Sequence, residues 1–471
     1  MDTQRIDRLL IEACNEYSLA GLAAAIISDR RLVYTKGFGI ADAARNLPIT
    51  ASTIFRIGSI SKTFTAIGLM QLYEQGKFKL DDPVNRYLKA YRIEPPTSAP
   101  PVTFRHLLTH TSGIGELRKL TDLLRPTLGL GCKPGKAPAL NEYYRPALRT
   151  GTAAGVKWAY ANHGFATLGQ LVEDISGQPF ASYMTENVFH ALGMEHTSHL
   201  RDERVREALA QGYRMTRRGL KPIRYAEIIV APAGSVFSSI DDMAKYVLAL
   251  LSAGANEHGR VLRAETLAMM MTPQYEIDPR MAAQGLGFML GKDEGLKLVG
   301  HDGGLPGFSS AMWLAPERSV GVLLFANSST LALHGMASEL IREATNAAEA
   351  APPPPILERP ALWNELLGTY RPMRCFNSNL RLWFLGGALR VFIMKGHLMI
   401  GGRHPFGPVR RGLRLLAADP ADSLYFKARL SGTEATVLFR RDAAGKIVSM
   451  SVAASAGAFF TVYKGKPPRG A

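Results

Sequence analysis

A serine and a lysine three positions apart, Ser59 and Lys62, form the strongest candidate for a catalytic pair. Residues 59–75 predict a helix that is apolar around most of its axis, and residues three apart on a helix share a face. A serine hydroxyl attacks well only when a neighbouring base takes its proton. A lysine can be that base if burial or a nearby cation lowers its pKa. The alternative interpretation is an ordinary helix start with a solvated lysine.

Tyr160 and Asn162 form a second candidate, in the segment Trp-Ala-Tyr-Ala-Asn-His-Gly over residues 158–164. A tyrosine hydroxyl can shuttle protons when cations depress its pKa. An asparagine amide can orient both a lysine and a substrate carbonyl. Taken alone, this spacing is also compatible with a tyrosine in the core or at a rim.

The third candidate is Gly-His-Asp-Gly-Gly-Leu-Pro-Gly over residues 300–307. Gly303 and Gly304 allow a backbone to approach a ligand closely, so an N–H here could stabilise an oxyanion. The start of the predicted helix would supply a further N–H at Ser59. His301 could relay protons or contact Tyr160, and its alternative role is that of a histidine in a turn.

Together and in this order, the three motifs resemble those of the serine β-lactamase and penicillin-binding protein superfamily. Within it, the sequence is most similar to class C β-lactamases, D-aminopeptidases and related esterases. Residues 107–114 and 231–235 also look like family segments, and the resemblance extends over about residues 5–345. It implies an α+β fold, in which helices flank an antiparallel sheet and a helical insertion occupies about residues 104–235.

The resemblance implies that Ser59 is the acylated nucleophile and that Lys62 and Tyr160 share the general acid and base roles. Asn162 would position the lysine and the substrate. The N–H groups of Ser59 and Gly304 would form the oxyanion hole. This chemistry requires no metal and no organic cofactor.

The pair His301-Asp302 replaces the Lys-Thr of the Lys-Thr-Gly motif with which β-lactamases help to hold the carboxylate of their substrate. A neutral histidine and an anionic aspartate suit a carboxylate poorly. We therefore expect a small ester, or the amide of a short peptide that can include D-residues. Hydrolysis of a β-lactam or of a D-Ala-D-Ala peptide at the same site is the alternative. Asp302 and Gly303 are assigned to substrate binding, where Asp302 could select a cationic or amino-terminal group. Alternatively, the side chain of Asp302 points away from the cleft.

The elements that must position these residues come from both sides of the insertion. Residues 22–28 and 31–37 predict one hairpin, and residues 310–314 and 320–327 predict another. These strands are expected to pair in one antiparallel sheet, because each set must bury a face. Residues 331–349 predict the last helix of a hydrolase domain over residues 1–349.

A basic module follows. Residues 350–360 predict a Pro-rich linker. Short strand patterns predict a small antiparallel barrel or sandwich over residues 361–471, and they include residues 380–384, 388–393, 436–440, 446–452 and 458–463. The resemblance to D-aminopeptidases, which can carry a barrel after the catalytic domain, implies a lipocalin-like β-barrel here. Residues 356–471 carry 18 Lys and Arg against 6 Asp and Glu, out of a net charge of +16 for the 471-residue chain. This charge could contact an anionic polymer or a membrane surface, but no nucleic-acid motif accompanies it.

Other classes of protein fit less well. With 46% hydrophobic and 20% charged residues, the composition is that of a globular protein. The pair His106 and His110 lacks the glutamate of a zinc-hydrolase motif, so no metal site is expected. No nucleophile elbow or nucleotide-binding loop is present. A non-catalytic binding protein on the same fold remains the alternative to an enzyme, and the oligomeric state stays open.

The segment that begins the sequence is charged and lacks the apolar stretch of a secretory signal. As it stands, the sequence predicts a cytoplasmic protein. If a leader was removed, a periplasmic or secreted location is expected instead. The cysteines Cys14, Cys132 and Cys375 are odd in number and widely spaced, so they predict no disulfide framework.

Overall fold

The computed structural model describes residues 2–293, 295–345, 359–373, 387–402, 412–430, 433–454 and 458–465. Most of the predicted linker and the strand predicted over residues 380–384 lie outside these residues, as does Cys375. Within the described ranges, no helix combines the length and apolar character needed to cross a membrane.

The helices and strands are named here in chain order. The helices are α1 (Thr3–Glu16), α2 (Ser61–Glu74), α3 (Phe104–Leu108), α4 (Leu140–Tyr143), α5 (Asn162–Ser176), α6 (Phe180–Met184), α7 (Glu203–Ala208), α8 (Ala231–Gly234), α9 (Ile240–Leu251), α10 (Ala264–Met270), α11 (Leu333–Ala344) and α12 (Pro360–Leu366). The strands up to residue 345 are β1 (Gly21–Ser28), β2 (Arg31–Asp42), β3 (Leu47–Pro48), β4 (Ile54–Arg56), β5 (Arg92–Glu94), β6 (Gly131–Cys132), β7 (Ala147–Arg149), β8 (Tyr213–Thr216), β9 (Gly219–Pro222), β10 (Glu227–Ile228), β11 (Phe237–Ser239), β12 (Tyr275–Glu276), β13 (Ala283–Gln284), β14 (Met289–Asp293), β15 (Leu296–Leu305), β16 (Phe308–Ala315) and β17 (Val320–Ala326). The later strands are β18 (Gly368–Pro372), β19 (Leu389–Met394), β20 (His397–Gly402), β21 (Leu413–Arg414), β22 (Leu416–Ala417), β23 (Tyr425–Leu430), β24 (Thr433–Arg441), β25 (Ile447–Ala454) and β26 (Ala458–Lys464).

The first large sheet joins strands from the two sides of the insertion, as predicted. Its order is β12-β13-β14-β15-β16-β17-β1-β2-β3, and all its pairs are antiparallel. Alternate side chains of β1 point to opposite faces, so Leu22 packs in the core with α1 and α11, whereas Ala23 packs in the core with α2 and α9. Burial on both faces explains why β1 reads as a continuous apolar run.

The insertion is less uniformly helical than the sequence pattern predicted. It holds α3 to α8, but also the short strands β6 to β10, which pair within the insertion or with β5 outside it. Strands this short are set by their pairing partners, so they leave little periodic signal. The insertion encloses α2, whose buried residues lie on every side of the helix and include Lys62. This confirms the interpretation of α2 as a buried helix.

The later strands form a second, nine-stranded antiparallel sheet, in the order β21-β20-β19-β18-β26-β25-β24-β23-β22. Its terminal strands, β21 and β22, are separated by Leu415 alone, so the sheet curls into a nearly closed barrel. The interior is an apolar cluster of its own, formed by residues between Trp363 and Val462. The predicted C-terminal barrel is confirmed.

One group of contacts between the barrel and the first sheet centres on an arginine. Arg280 forms ion pairs with Asp419 at 2.8 Å and with Asp422 at 2.9 Å, and it is also paired with Asp278. Its guanidinium lies 4.3 Å from the centre of the Tyr425 ring. The hydroxyl of Tyr425 donates to the backbone carbonyl of Arg280. The Arg280 guanidinium thus contacts three carboxylates and one aromatic ring, and these contacts fix the barrel against the loop before β13.

Candidate active site

Ser59 lies on a sharp turn before the buried helix. Residues Gly58–Ile60 form a 3-10 turn, and α2 begins at Ser61, two residues later than the sequence pattern predicted. Gly58 has a left-handed φ of +53°, a backbone conformation that glycine adopts without strain and that turns the chain before the helix. Ser61 Oγ donates to Gly58 O at 2.6 Å and accepts from Val236 N–H at 3.0 Å. These two bonds fix the turn and hold Ser59 half-buried at its apex.

Lys62 is fully buried beneath that turn. Its Nζ lies 3.0 Å from Ser59 Oγ, 2.8 Å from Asn162 Oδ1 and 2.7 Å from Ala233 O. Nζ also lies 4.8 Å from the centre of the Tyr160 ring. The lysine therefore joins the predicted nucleophile, the predicted asparagine and the segment at residues 231–235. The sequence analysis assigned no role to that segment, whose carbonyl at Ala233 completes the shell around Nζ.

The segment that carries Tyr160 and Asn162 is held by His110. The backbone carbonyl of His110 accepts from Ala159 N–H at 2.8 Å, and its ring Nδ1 accepts from Ala161 N–H at 3.1 Å. The ring packs 4.5 Å from that of Tyr160, centre to centre. His110 has a left-handed φ of +58°, which lets its ring and carbonyl face the same segment.

The sequence analysis rejected His110 as a metal ligand and did not connect it with Tyr160. The available signal was its place in the family-like segment at residues 107–114. The sequence could not show the contact with Ala161, which lies far along the chain.

His301 lies on β15 with its ring 6.2 Å from the Tyr160 ring, centre to centre. It is 2% exposed. Nδ1 lies 2.6 Å from the backbone carbonyl of Asp302. A carbonyl only accepts, so Nδ1 carries the hydrogen in this bond. The structure thus brings His301 to the tyrosine, as predicted from the order of the motifs.

Asp302 faces the other side of the sheet. It lies opposite Ala311, which belongs to the core with α1 and α11. Its Oδ1 accepts from Trp313 Nε1 at 2.7 Å, and its Oδ2 lies 3.1 Å from His334 Nδ1. The structure therefore does not bring Asp302 together with the other predicted site residues, because neighbouring residues of a strand point to opposite faces.

The two glycines that follow bring β15 against the nucleophile turn. A Cβ on Gly303 would lie 2.0 Å from the carbonyl oxygen of Ile57, so only glycine fits there. Ser310 Oγ donates to the same carbonyl at 2.7 Å. A Cβ on Gly58 would lie 2.7 Å from the nitrogen of Gly304, which places that amide beside the Ser59 turn. The structure thus places Gly303 as a packing contact and the Gly304 amide next to the turn that carries Ser59.

The barrel reaches the wall of this site. Phe459, on β26, packs edge-on against Trp158 with ring centres 4.9 Å apart. Trp158 in turn lies 6.1 Å from the Tyr160 ring and donates to Gln284 Oε1 at 3.4 Å. The barrel therefore contacts this segment directly, and Trp158 lies between Phe459 and the Tyr160 ring.

Comparisons with known proteins agree with this architecture. The beta-lactamase family model matches residues 6–346. A beta-lactamase from Pseudomonas fluorescens is 29% identical over 289 residues, which are 60% of this chain and 73% of that protein. The structure of an octameric penicillin-binding protein homologue from Pyrococcus abyssi aligns with a TM-score of 0.65 and 23% identity, over 98% of this chain and 100% of that one. The structure of SurE with D-Leu aligns with a TM-score of 0.61 and 22% identity, over 98% of this chain and 99% of that one. The likeness in fold thus extends over both large sheets.

Proposed function

Because the chain belongs to the beta-lactamase family, whose members are serine hydrolases, we propose that it cleaves a small ester or the amide of a short peptide through an acyl-enzyme. The observation that carries the proposal is the 3.0 Å contact between Lys62 Nζ and Ser59 Oγ in a site where the lysine is fully buried. This contact places a base within reach of the hydroxyl proton.

The other contacts of Lys62 suit a base. Asn162 Oδ1 and Ala233 O can only accept hydrogen bonds, so they take two N–H groups of Nζ. A neutral amine has two N–H groups and one lone pair, so its lone pair would point at the Ser59 hydroxyl. Ser59 Oγ then attacks the acyl carbon as its proton moves to Lys62 or, alternatively, to Tyr160. The N–H groups of Ser59 and Gly304 donate hydrogen bonds to the carbonyl oxygen and stabilise the negative charge that develops on it.

Collapse of the tetrahedral intermediate breaks the bond to the leaving alcohol or amine, which takes a proton from Tyr160. Water then attacks the acyl-enzyme and gives a proton to Lys62 or Tyr160, and Ser59 Oγ takes a proton back from these groups as its bond to the acyl carbon breaks. His301, next to the Tyr160 ring, is placed to influence the proton held by the tyrosine. Each step uses only side chains and backbone N–H groups of this chain.

The acyl donor is proposed to include D-configured residues, since a structure of similar fold was solved as SurE with D-Leu. A β-lactam is the second candidate, because a relative is named a beta-lactamase. The orientation of Asp302 also favours it, since this carboxylate faces away from the cleft and would not repel the substrate carboxylate.

The first experiment is intact-mass analysis after incubation with a fluorophosphonate, on wild type and on Ser59→Ala. Ser52→Ala is the matched control, because Ser52 is an exposed serine on the same approach to α2. One adduct on wild type and on the control, with none on Ser59→Ala, is expected. An unlabelled wild type, or a labelled Ser59→Ala, would overturn the proposal.

Substrate class follows from kcat/KM for four probes. These are 4-nitrophenyl butyrate, the 4-nitroanilides of D- and L-alanine, and a chromogenic cephalosporin. We expect turnover of the ester and a preference for the D-anilide over the L-anilide. Faster turnover of the cephalosporin than of the ester and both anilides would support the β-lactam alternative instead.

A further inference from the structure

A second, strongly cationic pocket lies beside the catalytic cleft. Its volume is about 210 Å³. Arginines of four chain segments line it: Arg45, Arg56, Arg201, Arg206 and Arg224. Among the described residues that line the pocket, Asp42 alone is acidic. The catalytic mechanism uses none of these side chains.

Arg56 forms the floor of this arginine pocket. It is 4% exposed, and its guanidinium carbon lies 4.6 Å from the centre of the Tyr225 ring and 5.9 Å from that of Phe237. Its Nε is buried without a hydrogen-bond partner in the described part of the chain, and no carboxylate there forms an ion pair with it. A buried charge normally has a partner, because burial without one costs several kcal/mol.

Arg201, next to Arg56, also packs on an aromatic ring and, within the described part of the chain, has an Nε without a hydrogen-bond partner. Its guanidinium carbon lies 4.2 Å from the centre of the same Tyr225 ring, and its Nε is buried with no partner among the described residues. Two guanidiniums therefore share one aromatic ring. A ring face attracts a cation but does not neutralise it, so both charges persist in the pocket.

The remaining polar groups of the pocket do not cancel these charges. Asp42 is already paired with Arg45 at 2.7 Å. Burial raises the pKa of Tyr225 above its ordinary value despite the nearby guanidiniums, so the phenol is neutral at physiological pH. Burial, together with the charge of Arg201, lowers the pKa of Arg56 to about 10, so this guanidinium is still a cation there. The pocket carries uncompensated positive charge at its base.

We propose that this pocket binds a compact oxyanion, the phosphate or carboxylate group of a small ligand, between Arg56 and Arg201, with the exposed Arg224 at the rim. Guanidinium groups hold such anions through paired N–H donors, and burial strengthens those bonds. The anion would supply the hydrogen-bond acceptors that the two Nε atoms lack.

The position of the pocket connects it with the catalytic cleft. Arg56 precedes the Ser59 turn on the chain, and Pro306 and Phe308 of the β15–β16 hairpin line the pocket. The anion can therefore come from two sources: a free ion, or the acidic end of an ester whose acyl carbon lies at Ser59. Binding of the free ion needs no acylation, so this inference does not depend on the proposed function.

The test of binding is calorimetric titration of inorganic phosphate into wild type and Arg201→Gln at constant ionic strength. Arg218→Gln is the matched control, because it removes the same charge from an exposed position in the β8–β9 turn. We expect the Kd for phosphate to rise by at least about tenfold in Arg201→Gln and to stay within about twofold in the control. Ser59→Ala should bind phosphate as wild type does.

The two sources are separated by a pair of esters, neutral 4-nitrophenyl butyrate and anionic 4-nitrophenyl hemisuccinate. If the substrate brings the anion, kcat/KM for the hemisuccinate falls in Arg201→Gln while that for the butyrate does not. If a free ion binds, phosphate affinity falls without a change in ester preference. The inference is overturned if phosphate affinity and ester preference are both the same in Arg201→Gln and Arg218→Gln.

Discussion

Lys62 and Arg56 are buried basic side chains from adjoining segments of one chain, yet their surroundings differ. Lys62 is fully buried, and its Nζ contacts a hydroxyl and two carbonyl oxygens within 3.0 Å. Arg56 is 4% exposed and lies against aromatic rings. At the lysine, the protein itself supplies the polar contacts that proton transfer at Ser59 needs. At the arginine it supplies apolar support, which suits a group whose partner comes from outside.

The comparison shows that burial of a basic group does not by itself define a site. The number and kind of oxygen atoms around the group decide whether it can transfer a proton or bind a ligand. Acceptors fixed by α5 and α8 hold an amine at one place and in one orientation, as proton transfer requires. A guanidinium without acceptors keeps its hydrogen-bonding capacity for a ligand.

The largest effect is expected at the lysine. Lys62→Met should lower kcat/KM for an activated ester by at least about 10³-fold, because Ser59 loses the base that contacts it. Ester hydrolysis and the rate of fluorophosphonate labelling both measure this loss. Activity within tenfold of wild type would mean that Tyr160 alone serves as the base. Lys62 would then differ from Arg56 only in its hydrogen bonds and not in a catalytic role.

The next effect concerns the histidine that holds the catalytic segment. His110→Asn should lower kcat by about tenfold to a hundredfold with little change in KM, because a shift of the Tyr160 segment misplaces the acid and base. Asparagine tolerates the left-handed backbone at this position. His106→Asn, in helix α3, which ends two residues before His110, is the control and should change kcat by less than about threefold. Equal losses in both variants would show that the effect comes from α3 rather than from the contact with Ala161.

A third, smaller effect concerns stability. Lys62→Met leaves two buried carbonyl oxygens without a donor, which costs about 1–3 kcal/mol for each unsatisfied group. Arg56→Met removes a charge that has no partner in the described structure and keeps an apolar side chain against Tyr225, so it should cost less than about 1 kcal/mol. Melting temperatures measured without phosphate test this order. A larger loss in Arg56→Met would show that the guanidinium contributes to the fold itself.

The smallest effect concerns the buried pair of His334 and Asp302. Here, unlike at Arg56 in the described structure, the basic side chain has a carboxylate as its partner. Burial lowers the pKa of His334, but the charge and hydrogen bond of Asp302, with the charge of Asp293, outweigh it and raise the pKa above its ordinary value. The protonated pair therefore stabilises the fold below the ordinary histidine pKa of about 6.5. That contribution is lost as pH rises through the folded-state pKa.

This is measured as the difference in melting temperature between wild type and Asp302→Asn, at about pH 6 and about pH 8.5. The advantage of wild type should be greater at the lower pH. A difference that is the same at both values would mean that His334 is not protonated in this range. The charge of Asp302 would then add nothing to stability through His334 in this pH range.

The sequence predicted the parts of the fold that depend on local patterns. The hairpins of β1 with β2 and of β16 with β17 and the buried helix α2 follow from periodicity and turn residues, whereas the C-terminal barrel also depended on the family resemblance. The short strands of the insertion and the start of α2 at Ser61 were not predicted. These features depend on which distant backbone lies alongside, and a single sequence does not record that.

For the candidate site, the sequence by itself determined that Ser59 and Lys62 share one side of a buried turn and helix, since residues three apart meet whatever surrounds them. The order of the motifs also supplied Tyr160, Asn162, His301 and Gly304. Only the tertiary structure decided that Asp302 faces α11, that His110 holds the Tyr160 segment and that Arg56 has no partner among the described residues. Each of these depends on a contact, or the lack of one, between residues far apart in sequence, and such contacts are fixed only when the sheet, the insertion and the barrel pack together.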